Sequence, residues 1–210
     1  MNHKKLIKSL IPLCEQASEA IMQVYTSKDF AIRIKQDLSP VTKADLAAHE
    51  IIQKGLLALT PDIPQLSEED ESTTFQQRQQ WDRFWCIDPL DGTTNFTHGL
   101  PVYAISIALL KRGVLTLGIV YEINRDECFH AIKGQGAFLN HSPIQVSPAK
   151  TLDKSLLATG FPYYNFDQMR QYLMIINDFM QSTHGLRRMG SAAVDLAYTA
   201  SGRFEGFFEY

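Results

Sequence analysis

A chain of 210 residues with 45% hydrophobic and 20% charged side chains and a formal net charge of −3 has the make-up of a globular protein, long enough for one large core or two small ones. No basic stripe points to nucleic acid or an anionic membrane, and no apolar run approaches membrane-spanning length. The basic Met1–Ser9 stretch runs into Pro12 and Glu15 rather than into a signal-peptide core. With Cys14, Cys86 and Cys128 far apart and forming no C-x-x-C pair, zinc and redox motifs are disfavoured and a reducing, cytoplasmic setting is expected.

Leu6, Ile7, Leu10, Cys14, Ala17, Ile21 and Val24 fall on one stripe and predict a helix from about Lys4 to Tyr25, which Pro12 should kink or delay. Asp29 to Pro40 reads as strand and loop, breaking at Ser39-Pro40. Thr42, with Asp45 three residues on, predicts a capped second helix whose buried face is Leu46, Ile51, Ile52, Leu56 and Leu59 and which stops at Thr60-Pro61. The polar stretch from Glu68 to Asp82 reads as an exposed loop. Strands are expected over Phe84–Ile87, Tyr103–Leu110, Leu115–Tyr121 and Glu127–Ala131, with Asn124-Arg125-Asp126 as a hairpin turn and Gly134 and Gly136 flanking the next strand. A third helix is expected from Phe166 to Met180, a fourth from a Ser191 cap to Gly202, and a strand over the final residues, Arg203–Tyr210. Such a succession suggests α+β layers rather than a doubly wound parallel sheet.

Three short runs carry chemistry. In Trp85-Cys86-Ile87-Asp88-Pro89-Leu90-Asp91-Gly92-Thr93-Thr94-Asn95-Phe96 an apolar strand runs into Asp88, a costly place for a carboxylate without a partner. Asp91 follows across the rigid Pro89, and two carboxylates turned to one side make a hard oxygen site suited to Mg²⁺. A helix starting at Gly92-Thr93 would seat a phosphate; the plainer reading is an Asx-turn with a helix cap. Ser67-Glu68-Glu69-Asp70 alone reads as a solvated acidic loop, and Val41-Thr42-Lys43-Ala44-Asp45 alone as an ordinary capped helix. No nucleophile elbow is present, and His98, His130 and His184 are scattered.

Together these runs resemble the inositol monophosphatase family of Mg²⁺-dependent, lithium-sensitive phosphatases. The resemblance continues in order through Leu100–Ile107, Lys133-Gly134-Gln135-Gly136-Ala137, Ala158–Pro162, Arg187–Ala193 and Gly206–Glu209. It implies an α+β fold, a layered αβαβα sandwich of the inositol monophosphatase and fructose-1,6-bisphosphatase type. Residues 1–145 would form an N-terminal α+β unit carrying the metal site, and residues 146–210 would begin a C-terminal α/β unit. By the same resemblance Glu68, Asp88 and the Leu90 carbonyl hold a first Mg²⁺, Asp88 and Asp91 a second, and Glu68 and Asp45 lie near a third. Thr93 with Asp45 deprotonates the attacking water. The N–H groups of Gly92 and Thr93 hold phosphate, while Asp91, Ala192 and Glu209 touch the alcohol. Lys35 lies near the metal-bound water, and a homodimer is implied.

The substrate signals are mixed. Thr93-Thr94-Asn95-Phe96 is similar to the inositol-phosphate branch, whereas Leu59–Pro64 before Ser67-Glu68-Glu69 is similar to the bisphosphate-nucleotide branch. Inositol 1-phosphate is favoured, with 3′(2′),5′-bisphosphonucleotide and fructose 1,6-bisphosphate as alternatives. A non-catalytic binding or regulatory module is the other class, to which a basic face near Arg187, Arg188 and Arg203 would be suited. The family places a Trp-Asp pair, a ligand of the second metal, a few residues past the strand matching Phe207–Tyr210. A chain ending at Tyr210 is therefore expected to be a truncated form, poorly stable, weak in that metal and nearly inactive, with the helix from Ser191 and the Phe207-Phe208 edge uncovered.

Overall fold

The computed structural model describes residues 2–35, 40–70, 72–162 and 166–209; Ser39 and Tyr210 lie outside them. Helix α1 (His3–Ser27) opens on an Asn2 cap and runs unbroken through Pro12. The proline does not delay it, although losing one helical bond costs about 3 kcal/mol. The buried stripe of Leu6, Ile7, Leu10, Leu13, Cys14, Ala17 and Ile21 outweighs that, at roughly 1.5–3 kcal/mol for each large side chain.

Strands β1 (Arg33–Ile34) and β2 (Pro40–Val41) form an antiparallel pair. They lead into α2 (Lys43–Leu59), with the expected Thr42/Asp45 capping box at its start. The expected buried face is rotated. Leu46 and Leu59 are exposed, and Ala44, Ala48, Ile52 and Leu56 face inward. The small residues allow close packing of α1 on α2, so close that a Cβ at Gly55 would overlap Leu13. A stripe drawn through large apolar residues passes over alanines. The expected loop from Glu68 to Asp82 also contains a helical turn, α3 (Phe75–Arg78), with its own Thr74/Gln77 capping box.

The main sheet comprises β3 (Gln65–Ser67), β4 (Arg83–Asp91), β5 (Ala104–Lys111), β6 (Val114–Glu122), β7 (Glu127–Ile132), β8 (Ala137–Leu139) and β9 (Ser142–Pro143) in sequence order. Only β3 on β4 is parallel. Between β4 and β5 lies α4 (Thr93–His98). One face of the sheet, with Trp85, Ile87, Ile105, Ile107, Leu117 and Ile119, packs under α1 and α2. The buried Trp85 indole donates to Thr60 Oγ1 at 2.9 Å.

The other face meets α6 (Ala192–Ala200) through Ala104, Phe129, Val194, Ala197 and Tyr198. Beyond α6 lies a parallel three-stranded sheet in the order β11 (Gly185–Arg187), β10 (Leu156–Thr159), β12 (Gly206–Phe208). Helix α5 (Met169–Ser182) covers it, with the Phe179 and Phe208 rings 5.0 Å apart. The five layers are the expected αβαβα sandwich. Among the described residues β12 is an edge strand of this sheet, as expected, while the Phe207 and Phe208 side chains are half-buried, Phe207 packing toward α6 and Phe208 toward α5. Leu196 of α6 does remain exposed. Among the described residues no helix is long and apolar enough to cross a membrane.

Candidate functional site

On a regular strand, side chains three residues apart point to opposite faces. Asp88 pairs with Ser106 and Asp91 with Ala104, so three steps along β4 face two along β5. The extra residue is a bulge at Pro89, which has no N–H for the ladder, and it turns Asp88 and Asp91 to the same side. The Asx-turn of the plainer reading is also present: Leu90 N donates to Asp88 Oδ1 at 3.0 Å. The cap is not, since Gly92 offers no side chain and holds φ at +99°. A Cβ there would lie 2.9 Å from the Val102 carbonyl, so both backbone and space require glycine.

Glu68 reaches the same place from β3. Its N–H donates to Ile87 O at 3.0 Å, which sets it beside Asp88. Burial first, then the charges of Glu68 and Asp91, push the Asp88 carboxyl well above the ordinary value, and Glu68 lies within hydrogen-bonding reach of it. Two carboxylates so close must share a proton or a cation. Burial also raises Asp91, against the pull of its bonds from Ser191 and Ala193. At the open end Lys35 Nζ contacts Glu68 at 2.9 Å and Glu69 at 2.6 Å. Burial would lower the ammonium, but these bonds outweigh it and hold it charged. Among the described residues no group of three His, Cys, Asp or Glu side chains is placed so that it could by itself hold a metal ion. What the acids present is a partly buried cluster of hard oxygen donors, and a small divalent cation fits that chemistry.

Asp45, 2% exposed, links this cluster to α4. Its Oδ2 accepts from Thr42 N at 2.7 Å and Thr42 Oγ1 at 2.6 Å, and its Oδ1 from Thr93 Oγ1 at 2.9 Å. Burial raises its pKa and these donors lower it, with burial prevailing. The Thr93 hydroxyl has a second acceptor, Leu90 O, at 3.0 Å. Thr93 also opens α4, so the N–H groups of Gly92 and Thr93 belong to its first turn, where amides lack intrahelical acceptors.

The far wall comes from the second half of the chain. Asp91 Oδ2 accepts from Ser191 Oγ and from Ala193 N, both at 2.6 Å, so the start of α6, Ala192 included, is held against the end of β4. Glu209, just past β12, lies over Gly160, where a Cβ would overlap its carboxyl. Burial and then Asp91 raise the Glu209 carboxyl.

The structure thus gathers Asp45, Glu68, Asp88, Leu90, Asp91, Gly92 and Thr93 in one region, with Ala192, Glu209 and Lys35 around it. Residues beyond the expected set support it. The side chain of Asn95, 3% exposed, donates to the carbonyls of Val102 and Met189, each at 2.8 Å, stapling α4 to the approach to α6. Its place in the Asp88–Phe96 run was the available signal. Asp195, 1% exposed, is pushed up to about 7 by burial, Asp91 and Glu209, and nothing in its sequence neighbourhood marks it. Two of the three arginines to which a binding module would be suited are engaged within the chain. Arg203 is spent on a bidentate pair with Glu127 at 2.6 Å and on the Tyr198 ring, and Arg188 lies over Phe161.

Comparison with known proteins bears on this geometry. The inositol monophosphatase family model matches residues 2–210. A protein of Neisseria meningitidis named as a putative Nus factor, SuhB, is 51% identical over 126 residues, which cover 60% of this chain and 48% of that protein. An inositol-1-monophosphatase of Rhizobium meliloti is 38% identical over 182 residues, covering 87% of this chain and 67% of the relative. The extragenic suppressor protein suhB of Bartonella henselae superposes with a TM-score of 0.89 at 34% identity, over 98% of this chain and 78% of that one. The matches therefore span from about half to about four-fifths of the length of these proteins.

Proposed function

The chain belongs to the inositol monophosphatase family, and we propose that it is a Mg²⁺-dependent phosphate monoester hydrolase acting on inositol 1-phosphate. The observation that carries this reading is the Thr93–Asp45 hydrogen bond set beside the half-buried Asp88 and Asp91 and the more exposed Glu68. Glu68, Asp88, Asp91 and the Leu90 carbonyl would hold the metal, with Asp45 near its edge. Bound Mg²⁺ supplies neutralisation of the phosphate dianion and acidification of water.

The chain's own residues do the rest. The Thr93 hydroxyl has one hydrogen and two acceptors. Engaging the Leu90 carbonyl elsewhere leaves Asp45 Oδ1 to take it, so that Thr93 Oγ1 is free to accept the proton of the attacking water. The first-turn amides of α4, at Gly92 and Thr93, receive phosphate oxygens. Asp91, the Ala192 segment and Glu209 face the alcohol, and Lys35 limits repulsion among the acids. Residues 1–145 carry the metal site, residues 146–210 supply the substrate wall, and the working form is a homodimer. Phosphate release with Mg²⁺ from inositol 1-phosphate, a 3′,5′-bisphosphonucleotide and fructose 1,6-bisphosphate tests the reading. Turnover of the first above the others is expected, and no turnover of any would overturn it. Some relatives are named as Nus factors, but the pairing of Arg203 with Glu127 leaves the basic face of a binding-module reading without its third member.

A further inference from the structure

The geometry points to His49 as a positioning residue that locks the loop carrying Glu68 and Glu69 to the helix carrying Asp45. Its consequence for metal and turnover rests on the phosphatase reading above.

Asp45 and His49 are four apart on α2 and so stand on one side of it. Asp45 anchors the start of α4 through Thr93. One turn on, His49 Nδ1 lies 2.8 Å from Ser67 Oγ. Ser67 ends β3 and is 5% exposed. It is the root of the acidic loop: its Oγ accepts from Glu69 N at 3.4 Å and its carbonyl from Asp70 N at 3.2 Å. A serine hydroxyl has one hydrogen to give. With the Glu69 amide on one of the two Oγ lone pairs, the 2.8 Å contact closes in either ring tautomer, Ser67 O–H donating to Nδ1 or Nδ1–H donating into the second lone pair. The hydrogen-bonded chain thus runs from the Glu69 amide through Ser67 Oγ to His49 Nδ1.

This chain has a job because the loop is pulled from both ends. Lys35 holds Glu68 and Glu69 from the open side, while Glu68 N is tied to Ile87 O beside Asp88. Ser67 lies at the pivot, and a pivot held only by its backbone would let Glu68 follow Lys35 away from Asp88. Groups bonded behind a metal ligand typically govern about 10–100-fold in affinity.

The test uses Mg²⁺ titration calorimetry and amide hydrogen exchange at Glu69, with turnover as a separate arm. His49→Leu should weaken Mg²⁺ binding roughly 10-fold or more and speed exchange at Glu69. Ser67→Ala should do the same, and the double variant should add nothing further. His49→Asn, whose side-chain oxygen falls where Nδ1 stands, should restore binding to within about threefold and slow the exchange again. His49→Gln, whose amide falls where Nε2 stands, should not, and this Asn-against-Gln comparison decides the matter if the leucine variant fails to fold. Mg²⁺ affinity and Glu69 exchange unchanged in His49→Leu, or additive losses in the double variant, overturn the assignment. Absence of turnover in the unaltered protein would sink the phosphatase reading alone, because exchange at Glu69 still reports on His49.

Discussion

Replacing Asp45 by asparagine separates its two jobs, capping α2 and orienting Thr93. The carboxylate accepts three bonds, from Thr42 N, Thr42 Oγ1 and Thr93 Oγ1, at 2.7, 2.6 and 2.9 Å. A carboxamide of the same shape has one oxygen. With that oxygen toward Thr42 the cap survives, the amide N–H₂ meets Thr93 Oγ1, and the threonine hydrogen turns to Leu90 O, 3.0 Å away. Every buried group keeps a partner, so the cost is the gap between charge-assisted and neutral bonds, about 1 kcal/mol. It is offset in part because a neutral amide is cheaper to bury. For a chain of this length that is about 2–4 °C in Tm. The catalytic effect is far larger, because the new amide donates to Thr93 instead of accepting from it. The hydroxyl hydrogen then faces only the neutral Leu90 carbonyl, too weak a base to take it from the oxygen that must accept water's proton. A loss of roughly 10²- to 10⁴-fold in kcat is expected with KM little changed. Thermal denaturation and Mg²⁺-dependent phosphate release on one preparation make the assay, with Asp45→Ala, which orphans the Thr42 donors, as the destabilised control. A kcat within about fivefold of the unaltered protein, with Tm intact, would refute the role given to the Thr93–Asp45 pair.

Asp88→Asn should weaken Mg²⁺ binding by at least about tenfold and raise the Tm of the metal-free protein, since it deletes a buried charge facing Glu68 and Asp91; calorimetry and a melt in chelator measure both, and unchanged affinity removes Asp88 from the metal site. Gly160→Ala should displace the Glu209 carboxyl that lies over it and raise KM several-fold with Mg²⁺ affinity unchanged, whereas an unaltered KM would detach Glu209 from the substrate. Burial is the first cause of the raised carboxyls of Asp88, Asp91 and Asp195, the last reaching about 7. The folded chain therefore binds protons the unfolded one has released, and without divalent cation stability falls as pH rises from about 4, the ordinary carboxylate value, toward about 7. Melts in chelator should show a higher Tm near about pH 5.5 than near about pH 8, Asp195→Asn should shrink the difference, and a Tm that rises with pH would contradict the burial argument.

Much of the site was legible because its residues are close in sequence and their roles are local. Thr42 and Asp45 announce a capping box, and Asp88-Pro89-Leu90-Asp91-Gly92 announces a turn that no regular strand could hold, since a proline and a glycine bracket the second acid. The strands and helices followed from periodicity where the pattern was made of large apolar side chains, and the α2 face was misjudged where alanines did the packing. Tertiary structure decided what depends on distant partners. Asp91 is held by Ser191 and Ala193, about a hundred residues downstream. Arg203 is taken from any basic face by Glu127, and His49 meets Ser67 only because β3 returns beside α2. Hydrogen bonds act over about 3 Å of space whatever the separation along the chain, so sequence determined which groups were present and the fold determined which of them meet.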